Sequence, residues 1–273
     1  MKSSKLIKTG LFLLLAILLL APFTFLKPKI TTGTVDGQSS KASEKSQQKI
    51  SVKKKPEKPL HNVVLPDFAG IMDIQTKKKT FFDFLKPAVI RKNQELAKTR
   101  EQLNVWLEKV SLELPLSDQE YRELGTLVKK YRVNKNASTL VQLNDLLLRV
   151  DAIPMALVLV QAANESAWGT SRFSRIGLNF FGIWCYRQGC GMVPGGRNTG
   201  AKHEVAAFQS IDEAVSRYFD NINTHNAYRV FRTIRFELRS EDQGLNPEIL
   251  ATGLLAYSER GVDYVIEISK MLR

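Results

Sequence analysis

A chain of 273 residues, 44% apolar and 25% charged, has room for one medium domain with appendages and a core of ordinary composition. Its net charge of +13 is held unevenly: residues 1–60 carry twelve lysines against three acids, and residues 61–273 carry 28 basic against 24 acidic side chains. A nucleic-acid binder needs its basic face on the folded domain, so this distribution argues against nucleic acid as a partner.

Lys2, Lys5 and Lys8 precede 18 residues without a charge, Thr9 to Leu26. That length is at the lower edge of a membrane span and exceeds most signal-peptide cores. No small-x-small cleavage site follows clearly, and no cysteine is placed for lipidation. The expectation for 1–26 is an uncleaved signal anchor, with a cleaved signal peptide as the alternative. In both cases the lysine-rich end stays cytoplasmic and the rest is exported. Residues 27–65 are rich in Lys, Ser, Gln and Pro and read as a disordered basic linker.

Residues 66–138 read as a helical N-terminal region. Phe81, Leu85, Val89, Leu96, Leu103, Trp106 and Val110 recur at three-to-four spacing and predict a helix over about 75–110, with Pro87 as a possible kink. Ser117-x-x-Glu120 has the form of a capping box before a helix to about Tyr131. Thr139 to Val150 is the next helix. Pro154 suits the first turn of another, and Gly169 suits its stop. Residues 183–209 turn Gly-rich and irregular, and predict a small β-hairpin ending near Glu204-Val205-Ala206-Ala207-Phe208. Helices resume from Ser210-x-x-Glu213 to about Asn223, then over about 227–238, 247–256 and 262–272. The fold class is mainly α (α+β), with a small β-excursion directly after the helix that carries Glu165.

Glu165 ends an apolar segment, Pro154 to Ala163, and no Lys or Arg lies between Arg149 and Arg172. On a helix it shares a face with Gln161 and Val158. Burial raises a carboxyl pKa, and the negative end of the helix dipole acts in the same direction. A proton held near neutral pH is what a general acid of a glycosidase requires. The plainer alternative is a boundary glutamate that reaches water or pairs with Arg172. Cys185 and Cys190 are the two cysteines of the chain. Export permits a disulfide closing the loop around Arg187-Gln188-Gly189, and two free thiols are the other possibility. His61, His203 and His225 show no ligand spacing with them, so no metal is expected.

Ala163-Asn164-Glu165-Ser166-Ala167-Trp168-Gly169-Thr170-Ser171 resembles the signature of the glucosaminidase family (glycoside hydrolase family 73). Asn179-Phe180-Phe181-Gly182-Ile183 resembles its Asn-Leu-Phe-Gly-Ile motif. Phe208-x-Ser210, Tyr218 and Asn221 through Tyr228 fit as well. The paired cysteines and Tyr257-Ser258 point within the family to its exported, bacterial Bax-like branch.

The resemblance covers about 140–273 and implies a lysozyme-like catalytic domain over 139–273. It implies cleavage of the glycan strand of peptidoglycan after N-acetylglucosamine, an endo-β-N-acetylglucosaminidase activity with no cofactor. Glu165 is then the proton donor. Glu204, 39 residues on, is the expected second catalytic group, with the substrate's acetamido group or an exposed strand glutamate beside His203 as alternatives. Tyr218, Tyr228, Tyr257 and Tyr264 are candidate sugar contacts, each equally able to be core. Asn179 is expected to bond backbone beside the cleft and Phe181 to form its wall. The expected location is the inner membrane, held by residues 9–26, with the catalytic domain in the periplasm. A lytic transglycosylase of the same fold type and an inactive peptidoglycan-binding scaffold are the rival functions.

Overall fold

The computed structural model describes residues 57–195, 200 and 202–273, which are mainly helical with a small three-stranded sheet. The expected anchor and the spacer up to residue 56 lie outside the described residues. No described helix is long and apolar enough to cross a membrane.

Helix α1, Ile74–Ser111, is the longest element. Asp73 caps it by accepting the Thr76 N–H at 2.8 Å, and it runs through Pro87 as one element. Phe81, Leu85, Val89, Leu96, Leu103 and Trp106 form its buried stripe, against α3 (Thr139–Arg149), α4 (Met155–Ser166) and α6 (Ile211–Thr224). Helix α2, Asp118–Lys130, begins with the expected capping box: Ser117 Oγ accepts the Glu120 N–H, and Glu120 accepts the Ser117 N–H at 2.7 Å. Helix α4 is buried at every residue from Leu157 to Ala163, which is why its sequence is apolar on all faces.

Helix α4 stops earlier than Gly169. Ala167 and Trp168 both adopt left-handed backbone, with φ of 49° and 56°, and Gly169 follows at 78°. The Trp168 N–H bonds the Ala163 carbonyl at 2.8 Å, and Ser166 Oγ accepts the Gly169 N–H at 2.9 Å. A short helix α5, Arg172–Gly177, leads to the sheet. Strands β1 (Trp184–Cys185) and β2 (Gly191–Met192) both pair antiparallel with β3 (Glu204–Ala206), in the order β1-β3-β2. The expected hairpin is therefore a three-stranded sheet with the last strand in the middle.

After α6 come a 3₁₀ turn, Asn226–Tyr228, and α7, Arg229–Ser240. The helix expected over 247–256 divides into α8, Pro247–Ala251, and a 3₁₀ turn, Thr252–Tyr257, with non-helical backbone at Leu254. Helix α9, Val262–Leu272, packs on α4.

Residues 57–65 correct the expected linker. Both Glu57 oxygens accept from the Arg172 guanidinium at 2.6 Å, the Leu60 N–H bonds the Ile176 carbonyl at 2.8 Å, and His61 Nε2 bonds the Arg175 carbonyl at 3.1 Å. The composition is spacer-like, but the backbone finds partners on α5. Phe68 then anchors the segment, its ring 5.5 Å from Phe81 and 5.9 Å from Phe84. Phe81 continues the aromatic cluster to Trp168 and Phe180 at 5.6 and 6.0 Å. The described residues all belong to one compact unit. The region 66–138 thus shares its core with the residues that follow.

Candidate active site

Glu165 sits in the last turn of α4, half-buried. Burial pushes its carboxyl above the ordinary glutamate value, and the charge of Glu267 on α9 acts in the same direction. Hydrogen bonds from Tyr264 and Asn164, with the charge of Arg260, pull downward and do not cancel it. Gly182 comes up against this carboxyl: a Cβ there would lie 3.5 Å from Glu165 Oε2, and its φ of 65° suits glycine.

The expected sugar contacts divide by burial. Tyr264, Tyr218 and Phe181 are all but fully buried, and Tyr228 nearly so. The Tyr218 hydroxyl donates to Gln161 Oε1 at 2.6 Å, and Gln161 Nε2 donates to the Tyr264 hydroxyl oxygen at 2.8 Å. Burial, and then the charge of Glu165, push the Tyr264 phenol upward, so it keeps its proton and remains a donor. Phe181 stacks on Tyr218 at 4.4 Å. Tyr257 is half-buried, lies parallel to Tyr264 at 5.5 Å and donates to the Phe181 carbonyl at 2.8 Å. Tyr218, Phe181 and Tyr264 thus stand behind the carboxyl, and Tyr257 is the more open ring.

Asn179 does what the backbone-bonding expectation required. Its amide donates to the Ile183 and Ala206 carbonyls at 2.8 and 2.9 Å and accepts from the Ile183 and Phe181 N–H groups at 3.0 and 3.3 Å. With every amide position used inward and the residue buried, a substrate contact by Asn179 is corrected to a clamp. It ties Gly182, and so the surroundings of Glu165, to the sheet.

Glu204 lies on β3 opposite Cys185 and is 5% exposed, so the exposed strand glutamate is corrected. Its two oxygens accept the Gly189 and Gly191 N–H groups at 3.0 and 2.9 Å. The structure joins Cys185 to Cys190 in a disulfide. Sulfurs and Glu204 carboxylate lie within 4.8 Å of one another, but sulfurs bonded to each other offer no thiolate to a metal. His203 packs against Trp184 with ring centres 4.2 Å apart. Gln161 is the residue whose part sequence reasoning missed. Its position four residues before Glu165 was the only signal, and its partners lie 57 and 103 residues away.

A cavity of about 420 Å³ lined by Arg100, Asp151 and Arg239, among others, contains none of these residues.

A carboxyl whose pKa burial raises, at the end of a buried helix and followed by a small sheet, is consistent with a lysozyme-like α+β fold. A family model described as mannosyl-glycoprotein endo-beta-N-acetylglucosaminidase matches residues 143–261. The chain is 33% identical over 201 residues to Protein bax of Escherichia coli strain K12, an overlap of 73% of this chain and 70% of that protein. No solved structure matches. The chain belongs to the glucosaminidase family and is Bax-like.

Proposed function

We propose that this chain is a peptidoglycan hydrolase, an endo-β-N-acetylglucosaminidase that cuts the glycan strand after N-acetylglucosamine with Glu165 as proton donor. The observation that carries the reading is the Glu165 carboxyl itself, held above its ordinary pKa by burial at the end of α4 and steadied by Tyr264. Its proton passes to the glycosidic oxygen as the bond from that oxygen to the anomeric carbon breaks. The resulting carboxylate then takes a proton from the water that completes hydrolysis.

Attack on the anomeric carbon needs a second group. Glu204 is one candidate and the substrate's acetamido oxygen is the other. Both Glu204 oxygens already accept backbone N–H bonds, and hydrogen bonds to a carboxylate weaken it as a base. That favours the acetamido group, with Glu204 holding the sheet and its disulfide loop. Tyr257 and Tyr228 are the proposed sugar contacts. The proposed location is the outer side of the inner membrane, with residues 9–26 as anchor.

The test is digestion of purified sacculi. The wild-type chain is expected to release reducing N-acetylglucosamine ends, and Glu165→Gln to lower the rate by about 10²–10⁴-fold. Anhydro-muramic ends would instead make the protein a lytic transglycosylase. Binding without any cleavage by the wild type would make it a scaffold.

A further inference from the structure

We infer that Gln161 is a positioning residue: held by Tyr218 on one side, it fixes the direction of the Tyr264 hydroxyl so that Tyr264 donates to Glu165. The inference rests on the reading of Glu165 as the acid and adds the device that aims its carboxyl.

The donors and acceptors fit in one order. A tyrosine hydroxyl has one hydrogen to give, and an amide has a donating and an accepting end. Tyr218 gives its hydrogen to Gln161 Oε1, which turns Gln161 Nε2 toward Tyr264. That N–H occupies the acceptor side of the Tyr264 oxygen, so the Tyr264 hydrogen points away from Gln161 and onto Glu165. The reverse order would have Tyr264 donate to Gln161 and would leave the half-buried carboxyl without its phenol donor. Gln161 and Tyr218 are 0% exposed and Tyr264 is 1% exposed, so bulk water does not reach them. A buried polar chain of this kind is stable only when every member is paired.

Other groups facing Glu165 act on it as well. They are Glu267 on α9, Arg260 ahead of α9 and Asn164 on α4. Tyr228 and Tyr257, in the two 3₁₀ turns, also interact with its charge. Tyr218 interacts with the charge of Glu165 as well, and its hydroxyl oxygen is three hydrogen bonds away from the carboxyl.

The experiment is a pH titration of the full chain carrying carboxyl-¹³C glutamate, read by NMR. Glu165→Gln identifies the Glu165 signal, and the alkaline limb of sacculus digestion is followed in parallel. Tyr264→Phe removes the donor directly and is expected to move the Glu165 midpoint to higher pH. Tyr218→Phe, which frees the Gln161 amide to turn, and Gln161→Met, which frees the Tyr264 hydroxyl, are expected to move it the same way by less. The alkaline limb should follow. If the midpoint moves in Tyr264→Phe but stays at the wild-type value in the other two, the positioning role is overturned. If only one of those two variants folds, that one decides. A merely structural Gln161 would lower the melting temperature and leave the midpoint in place. Activity surviving in Glu165→Gln would overturn the acid reading instead, and the NMR midpoint would still report on the hydrogen-bond order.

Discussion

Burial raises the pKa of the Glu165 carboxyl, and that has a stability signature. A carboxyl whose folded pKa is raised binds its proton more tightly in the native state, so stability falls as pH rises from the unfolded value, about 4.3, through the folded one. Glu165→Gln removes that loss. Its melting temperature should exceed the wild type's at pH 7, and the difference should vanish below about pH 4. A difference independent of pH would contradict the burial account. Gly182 can be tested beside it. Alanine there must adopt a φ of 65° and places a methyl against Glu165 Oε2. The expected cost is about 1 kcal/mol of stability from the left-handed backbone, measured by denaturant titration. Activity on sacculi should fall by about tenfold or more, since small displacements of a reacting group are costly.

The elements of the domain meet at a buried cation. Arg235, fully buried on α7, donates to the carbonyls of Leu148, Arg149, Asp151 and Ala152 and to Asn223 Oδ1. It thereby joins the end of α3, the entry to α4 and the end of α6. Burial pushes the Asp151 carboxyl up. The hydrogen bond from Arg239, with the charges of Arg235, Arg100 and Arg239, outweighs that and holds it below its usual range. Arg235→Met would leave four carbonyls and Asn223 Oδ1 without this donor, at an expected cost of about 3–5 kcal/mol in denaturant unfolding. The helices of this network were legible in the sequence because capping residues and apolar periodicity are local signals. Ser117, Pro154 and Ser210 marked their starts to within a residue. The family was legible through the motif around Glu165. The Tyr218–Gln161–Tyr264 order, the burial of Glu204 and the docking of residues 57–65 were not. Each depends on partners far along the chain, which no window of residues contains. The end of α4 was misplaced for another reason: Ala167 and Trp168 take up left-handed backbone that propensity assigns to glycine.

The molecule as a whole does not separate at residue 139. Phe68, Phe81, Phe82 and Phe84 surround Trp168 and Phe180 from the N-terminal side. A chain beginning at residue 139 would expose that cluster and the faces of α3, α4 and α6 that α1 covers. It should fail to show a cooperative thermal transition, whereas a chain beginning at residue 57 should melt as one unit. A stable, active fragment 139–273 would refute this. Phe68 also lies directly beneath Gly169, where a Cβ would come 2.4 Å from its ring. The strap that carries it is fastened to α5 at Glu57, Leu60 and His61. A pull applied at residue 57 is thus delivered to α5 and to the turn that ends the Glu165 helix, before it reaches α1.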